Sequence, residues 1–456
     1  MPVVQSFRCD AGRVIGNQFS FPLYISANSR FLTTANGTPF FMVGDGTAQP
    51  LAVQSIANVS TFLNIRASQG FNTLWIHVVL NQQDGGYNNG ATYDGIAPFT
   101  GTLDGTTVDG GPNYDFTTPN PSYFARLDQI LTMCAQAGFV VFLDNMENDS
   151  YLAVYENNGV TRMAAFAAYI GQRYAGFPNV VWMTGNDFQT WNTSSLDNNI
   201  AQALMAGTNA ANPTKLQTVE LNYNISGGLD NSLLAPYITV TPAYTYYPVY
   251  YEVGQEYASG VKTVPVYTVE TYYEGVSYGD LSPNSIDRIG LRKVPWWTTL
   301  SGGLAGYFYG SIQVLGPWTG TWQTNLYTAA VADLLIWKQF FQSFGWQNLV
   351  PDSSNVVCTA GFGTATGNGT GNIETDNYCT TARIADGSKV ITYSPEGATL
   401  TIAMTAMRGT TTARWFDPTN GAYTAIGSYP NTGTQNFTTP GNNNAGNPDW
   451  VLRLDA

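Results

Sequence analysis

The feature that most limits how this chain can fold is a regular alternation of short apolar runs with longer amphipathic segments. Eight apolar runs occur in order, at PFFMVGD (39–45), NTLWIHVVL (72–80), FVVFLDN (139–145), VVWMTGND (180–187), LQTVELN (216–222), YITVTPAY (237–244), VPVYTVE (264–270) and LAGYFYGS (304–311). Segments with helical periodicity lie between several of them and after the last, at 53–69, 123–138, 161–176 and 325–344. Apolar strands that alternate with helices are typical of a parallel sheet, so the pattern predicts an α/β fold, a (β/α)8 TIM barrel. An open doubly wound sheet is the alternative, which the lack of a glycine-rich phosphate-binding motif after the first run weakens.

The sequence changes in character near residue 350, where short alternating runs are separated by Gly, Asn and Thr. The clearest runs are SKVITYSP (388–395), ATLTIAMTAM (398–407), TTARWFDPTNG (411–421) and DWVLRLDA (449–456). Such runs predict a small antiparallel β-sandwich. We therefore predict three parts, which are N-terminal strands associated with the barrel (1–38), the barrel (39–348) and a C-terminal β-sandwich (349–456).

Composition narrows the class of partner. Only 11% of the residues are charged, and the formal net charge is −13. An acidic, lysine-poor surface repels nucleic acid and anionic membranes, so neither is expected as a partner. A neutral oligo- or polysaccharide is not repelled, and aromatic residues, at 14%, offer faces on which sugar rings can stack. We expect a carbohydrate-binding monomer that needs no cofactor, and the absence of an 18-residue apolar run predicts no membrane span.

The cysteines bear on the cellular compartment. Cys358 and Cys379 bracket a stretch rich in Gly, Thr and Asn and are predicted to form a disulfide, which an oxidising compartment permits. Cys134 lies in a helical pattern and is predicted to be a buried free thiol, whereas Cys9 fits either state. A secreted or periplasmic location is expected, although the first residues, MPVVQSFRCDAG, do not form a signal peptide.

The polar residues that end the apolar runs are the candidates for chemistry, because sites in (β/α)8 enzymes form at the carboxyl ends of the strands. They are Asp45, His77, Asp144, Asn186, Asp187, Glu220, Asn222, Tyr244, Tyr246 and Glu270. With one histidine in the chain, a serine or cysteine nucleophile has no plausible base and a metal site has too few ligands, so no metal is expected. Two carboxyl groups in a neutral, aromatic cleft are what glycoside hydrolysis requires.

Each of these residues also has a structural interpretation. A lone strand-end carboxylate more often caps a helix or pairs with a cation, so Asp45 and Asp144 are expected either to bind sugar hydroxyls or to hold loops. His77 is expected to bind substrate or to be a satisfied core residue. Trp318 and Trp322, in GPWTGTW, are candidate stacking platforms for sugar, with loop packing against the sandwich as the alternative.

Several of these segments resemble one known family. SRFLTTANGTPFFMVGDGTA (29–48), Gly185-Asn186-Asp187 and PVYTVETYYEG (265–275) are similar to motifs of the apiosidase-like glycoside hydrolases of family 140 and their relatives. Arg292 with Trp296-Trp297, the run Gly303–Gly310 and the C-terminal WFDPTNGAY, NFTTPG and DWVLRL are similar as well. The resemblance covers nearly the whole chain beyond residue 28 and implies a barrel followed by a collagen-binding-like β-sandwich.

The resemblance also implies roles for the strand-end residues. Asp187 would be the acid/base and Glu270 the nucleophile of a retaining mechanism, and Asn186 would bind a sugar hydroxyl near the reacting carbon. Gln49 stands where relatives carry an aromatic residue, and the region around Tyr244 is unusually rich in tyrosine, so apiose specificity is not implied. Two other interpretations stay open, a transglycosidase on the same barrel and a non-catalytic carbohydrate-binding surface protein.

Overall fold

The computed structural model of the chain describes residues 20–80, 87–108, 111–148, 151–190, 194–279, 281–315, 318 and 320–456. Cys9 and the first half of the predicted N-terminal part lie outside these residues. The chain that follows forms a small antiparallel sheet of β1 (Tyr24–Ile25), β2 (Leu32–Thr33) and β3 (Pro39–Phe40). The first apolar run is therefore divided, since Pro39 and Phe40 pair with β2 and only its later residues continue into the barrel.

The central part alternates strands and helices. In chain order these are β4 (Met42–Asp45), α1 (Ile56–Ser68), β5 (Thr73–His77), β6 (Thr102–Val108), β7 (Gly111–Tyr114), α2 (Pro121–Gln136), β8 (Val140–Asp144), α3 (Leu152–Tyr174), β9 (Val180–Thr184), α4 (Ser195–Ala211), β10 (Gln217–Val219), β11 (Ile225–Gly227), β12 (Thr241–Thr245), α5 (Tyr250–Tyr257), β13 (Val266–Thr268), α6 (Arg288–Leu300), β14 (Gly306–Tyr309) and α7 (Ala329–Gln342). None of the helices within the described ranges is long and apolar enough to cross a lipid bilayer.

The strands form one curled sheet in the order β10-β9-β8-β5-β4-β14-β13-β12-β11. Every neighbouring pair is parallel except β11 and β12. The barrel closes between β10 and the start of β12, where the backbone amides of Thr239 and Val240 donate to the Gln217 carbonyl at 2.9 Å and 3.3 Å. Each of the eight predicted apolar runs supplies one parallel strand, so the predicted (β/α)8 barrel is confirmed.

The C-terminal part is built from two antiparallel sheets, as predicted. The strands are β15 (Leu349–Pro351), β16 (Cys358–Ala360), β17 (Thr380–Ile384), β18 (Lys389–Ser394), β19 (Thr399–Ala403), β20 (Thr411–Phe416), β21 (Tyr423–Tyr429), β22 (Thr434–Thr438) and β23 (Trp450–Asp455). One sheet has the order β15-β17-β18-β23-β20-β21 and the other β16-β19-β22. The four sequence runs chosen as strands correspond to β18, β19, β20 and β23.

The predicted Cys358–Cys379 disulfide is wrong, because both residues are free, buried thiols. Each sulfur is directed at another group. Cys358 Sγ lies 3.7 Å from the Ala360 carbonyl, and Cys379 Sγ lies 3.4 Å from Ser394 Oγ. Cys134 is a buried free thiol, as predicted.

Helix α6 joins the barrel to the sandwich. The Trp296 ring stacks on Tyr393 of β18, with 5.7 Å between ring centroids and 11° between the planes. The buried Lys293 ammonium donates to the carbonyls of Ile373, Glu374 and Asp376 at 2.8–3.0 Å. These contacts position the sandwich against helix α6 on the outside of the barrel.

Helix α5 carries two buried carboxyl groups whose titration affects stability. Burial raises the pKa of Glu252 to about 8 and that of Glu256 to about 7. Between the usual glutamate pKa and these values, the unfolded chain releases protons that the folded chain keeps, so stability falls as pH rises through this window. Glu252→Gln should therefore raise the free energy of unfolding at pH 8 by about 2–4 kcal/mol and change it little at pH 4. Urea denaturation at both pH values measures this, and equal effects at the two would contradict it.

Candidate active site

Asp187 lies in a turn just beyond β9, at the end of the barrel where the parallel strands finish. Gly185 and Asp187 both adopt positive φ angles, 85° and 51°. Glycine is required at the first position because a Cβ atom there would lie 2.9 Å from Phe188 Cβ. Asn186 holds the turn, because its Oδ1 accepts from the Asn148 amide at 2.7 Å and its carbonyl accepts from Asn148 Nδ2 at 2.9 Å. Strained non-glycine residues of this kind cluster at functional sites, so the turn is built to aim the Asp187 carboxyl.

Glu270 lies two residues beyond β13 and is buried. Three tyrosine hydroxyls donate to its carboxylate. Tyr246 donates to Oε1 at 2.6 Å, Tyr244 donates to Oε1 at 3.1 Å, and Tyr273 donates to Oε2. Hydrogen bonds to an ionised acceptor are stronger than neutral ones, so this arrangement orients Glu270 and favours its charged form.

One hydroxyl joins the two carboxyl groups. Tyr244 lies 2.5 Å from Asp187 Oδ1 and 3.1 Å from Glu270 Oε1. The two carboxyl oxygens are therefore no farther apart than these two contacts combined. That limit is below the separation of about 6.5–9.5 Å found in inverting glycosidases and is compatible with the about 5–5.5 Å of retaining ones.

Burial and hydrogen bonding have opposite effects on the pKa of Glu270. Burial raises the pKa of Glu270, and the hydroxyls of Tyr246, Tyr273 and Tyr244 oppose that rise, as does the charge of His77. Burial, together with the nearby carboxylates, also raises the pKa of all three tyrosines well above the usual value, so they remain hydroxyl donors. Glu220 lies in the same cluster, and burial followed by the charges of Glu270 and Asp187 raises its pKa well above the usual range.

His77 and Asp144 form a buried pair beside this centre. His77 Nδ1 lies 3.2 Å from Asp144 Oδ2. Asp144 Oδ1 accepts from the amides of Met146 at 3.0 Å and Gly185 at 3.1 Å. Asp144 thus connects the end of β8 to the turn that carries Asp187, which agrees with the predicted role of holding loops. A contact between His77 and sugar stays a prediction.

Three of the predicted substrate contacts have structural roles, so their contact with substrate stays a prediction. Asp45 is fully buried in an ion pair with Arg66, with 2.6 Å from Nε to Oδ2, and its Oδ1 accepts from the Thr47 amide at 2.9 Å. Trp318 and Trp322 are buried and stack on each other, with 4.3 Å between centroids. Phe62 of α1 lies 5.0 Å from Trp318, so the pair packs against the barrel.

Other predicted contacts have mixed outcomes. Asn222 is half-buried and uses Oδ1 in a local turn, where it accepts from the Asn224 amide at 3.0 Å, so its contact with substrate stays a prediction. Asn186 uses Oδ1 within the protein, and its contact with a sugar hydroxyl stays a prediction. Tyr273 is a site residue that is not among the predicted candidates. Those candidates are the polar residues that end the apolar runs, and Tyr273 lies three residues beyond Glu270. The only sequence signal for it is the pair of tyrosines that follows Glu270-Thr271.

Comparison of the sequence with known protein families shows which family has a barrel and site of this kind. Residues 26–348 match the family described as "Apiosidase-like, catalytic domain". The chain belongs to the apiosidase-like family. It is therefore a glycoside hydrolase, and the resemblance noted in the sequence is confirmed. Residues 369–455 match "Putative collagen-binding domain of a collagenase", which agrees with the β-sandwich of this apiosidase-like protein.

Solved structures agree with the architecture. A glycoside hydrolase family 5 protein from Bacteroides vulgatus ATCC 8482 matches with a TM-score of 0.75 and 19% identity, over 95% of this chain and 92% of that chain. A second structure, described as a glycoside hydrolase, matches with a TM-score of 0.74 and 18% identity, over 96% of this chain and 97% of that chain. No curated protein matches the apiosidase-like chain. At these identities the structural matches establish the fold alone.

Within the part of the chain that the structure describes, no group of three or more His, Cys, Asp or Glu residues is arranged to hold a metal ion. The groups that the structure brings together are carboxyls and tyrosine hydroxyls, with one imidazole. Such groups can transfer a proton and attack an electrophilic carbon.

Proposed function

We propose that this protein hydrolyses glycosidic bonds with retention of configuration, with Asp187 as the acid/base and Glu270 as the nucleophile. The observation that carries the proposal is the single Tyr244 hydroxyl in contact with both carboxyl groups. Two carboxyls so close leave little room for an attacking water between them, which favours direct attack by one of them. Two carboxyls that lie far apart would favour the carbohydrate-binding alternative, and their shared contact with Tyr244 counts against it.

The Tyr244 hydroxyl has one proton but contacts both Asp187 and Glu270, so the carboxyl to which it donates can change during the reaction. In the resting enzyme it donates to Glu270, so the short contact with Asp187 needs the proton that Asp187 carries as the acid. Asp187 then gives that proton to the leaving oxygen while Glu270 attacks the anomeric carbon and the glycosidic bond breaks. Esterified Glu270 has lost its charge, and Tyr244 can turn its proton to the Asp187 carboxylate. Asp187 next takes a proton from water, and the water oxygen attacks the anomeric carbon as its bond to Glu270 breaks. The sugar is released, and Glu270 regains its charge.

A panel of aryl glycosides tests this proposal. Neutral glycosides are the first choice, since the site presents carboxylates to the sugar. Proton NMR during the first turnovers should show a product with the anomeric configuration of the substrate, whereas an inverted product would overturn the retaining mechanism. Added alcohol or sugar acceptors separate hydrolysis from transglycosylation, because a transglycosidase would form glycosylated acceptor as its main product.

Tyr246→Phe should move the acid limb of the pH profile. The variant loses the 2.6 Å donor to Glu270, so the carboxylate is less stabilised and the pKa of Glu270 rises. A hydrogen bond to a charged group contributes about 1.5–3 kcal/mol, which corresponds to a shift of roughly one unit or more towards higher pH. The profile of kcat/KM against pH measures the shift. An unchanged acid limb would mean that Glu270 is not the group titrating there.

A secreted or periplasmic location, a polysaccharide substrate and a monomeric state are proposed on the sequence alone. The free thiols of Cys358 and Cys379 remove the disulfide as support for an oxidising compartment. What supports export is the carbohydrate chemistry of the site.

A further inference from the structure

Glu220 contacts the turn that carries Asp187 with two of its oxygen atoms. It directly follows β10 and is 1% exposed. Its side-chain Oε2 accepts from the Asp187 amide at 3.2 Å, and its backbone carbonyl accepts from the Phe188 amide at 3.3 Å. A residue other than glycine at positive φ needs such external support, because the conformation costs about 1–3 kcal/mol. Glu220 therefore helps to fix the direction of the Asp187 carboxyl.

The second carboxyl oxygen of Glu220, Oε1, makes no comparable contact with the Asp187 turn. Oε1 is buried and has no hydrogen-bond partner among the described residues. A buried polar atom left without a partner costs about 1–3 kcal/mol, so Oε1 is available for a hydrogen bond with a ligand or a water molecule. The charged or titratable groups that interact with Glu220 are Asp144, Asp187, Glu270, Tyr244, Tyr267 and Tyr273. Both carboxyls assigned to the reaction are among them, so Glu220 belongs to the cluster of groups around the candidate active centre.

We propose that Glu220 is a positioning residue of the active centre, which fixes the Asp187 turn through Oε2 and offers Oε1 to a hydroxyl of the bound glycosyl group. The proposal rests on the proposed function. Burial and the two neighbouring carboxylates raise the pKa of Glu220, so Glu220 favours its protonated form. It can therefore donate to a sugar oxygen through Oε1 while Oε2 continues to accept from the Asp187 amide. Glu220 forms no covalent bond in either step.

Two substitutions separate these roles from simple packing. Glu220→Gln is a close match to the protonated acid, since its oxygen accepts from the Asp187 amide and its amino group donates where Oε1 does. It should keep kcat and KM within about threefold of the wild type. Glu220→Leu keeps the volume but removes both contacts, and kcat/KM should fall by about 100-fold. Glu256→Gln is the matched control, a buried glutamate on α5 that should leave kcat/KM unchanged.

Hydrogen exchange of a peptide within residues 180–190 provides a readout that needs no substrate. Exchange at the turn should be faster in Glu220→Leu and unchanged in Glu220→Gln and Glu256→Gln. Wild-type kinetics and wild-type exchange in Glu220→Leu would overturn the proposal. So would a loss of activity in Glu220→Gln equal to that in Glu220→Leu, because the protonated carboxyl would then not be what matters. If the wild type turns over no glycoside while the exchange pattern holds, the proposed function fails and the support of the turn by Glu220 stands.

Discussion

Glu270→Gln should leave a folded protein whose turnover is at least about 10⁴-fold below that of the wild type, a loss of about 5–6 kcal/mol of transition-state stabilisation. The amide keeps the shape of the side chain, and its single oxygen can accept from either Tyr246 or Tyr273. The tyrosine that faces the amide nitrogen can turn its hydroxyl and accept instead, so the fold around the residue should persist. It cannot attack the anomeric carbon or stabilise positive charge there. Initial rates measure the turnover, and a thermal melt measures whether the fold is kept. Glu256→Gln is the control for a buried glutamate away from the site. Turnover near the wild-type value would remove Glu270 from the mechanism.

External azide separates a nucleophile from a residue that only stabilises charge. In Glu270→Ala the side chain is removed, and azide can occupy its place and attack the anomeric carbon as the leaving group departs. The expected product is a glycosyl azide of inverted configuration, with a rate that rises with azide concentration. Asp187→Asn should behave differently, because azide attacks the anomeric carbon of the glycosyl-enzyme in the second step, without needing a base, and expels Glu270. The glycosyl azide then keeps the substrate's configuration. The same glycosyl azide from both variants would contradict the assigned roles.

The sequence predicts the barrel and much of the site because both follow from periodicity. Apolar runs specify parallel strands, and the carboxyl ends of parallel strands meet at one end of a barrel. Asp187, Glu220, Tyr244, Tyr246 and Glu270 could therefore be expected to lie close together, and the contacts through Tyr244 and the Asp187 amide bring them together.

What the sequence does not predict depends on contacts between distant residues. Asp45 ends a strand like the others, but its partner Arg66 lies on a helix and comes into contact only after that helix packs. The stacking of Trp318 on Phe62 is likewise a matter of tertiary packing, since an aromatic ring can face either sugar or core. A disulfide needs both Cβ atoms at bonding geometry, and Cys358 and Cys379 direct their sulfurs to other groups.

The family-like motif on helix α6, Arg292 with Trp296-Trp297, has a structural role outside the candidate active site. Arg292 is 2% exposed and reaches both the barrel and the sandwich. It forms a bidentate pair with Asp449, at 2.7 Å and 2.8 Å, and its Nη1 lies 2.7 Å from Asp333 of α7. Arg292 thus joins the helix layer of the barrel to the segment before β23, so this arginine serves the junction between the two parts.

Arg292→Met should lower the free energy of unfolding by about 3–5 kcal/mol, because it leaves Asp333 and Asp449 buried without their shared cation. Arg292→Lys should recover only part of the loss, since an ammonium group cannot reproduce the two-pronged contact with Asp449. Arg288 is the matched control, because it also contacts Asp333, at 2.6 Å, but its side chain is 38% exposed. Solvent screens that pair, so Arg288→Ala should lose only about 0–1 kcal/mol. Urea denaturation of the three variants and the wild type measures these differences, and a loss in Arg292→Met no larger than in Arg288→Ala would show that the buried arginine does not hold the two parts together.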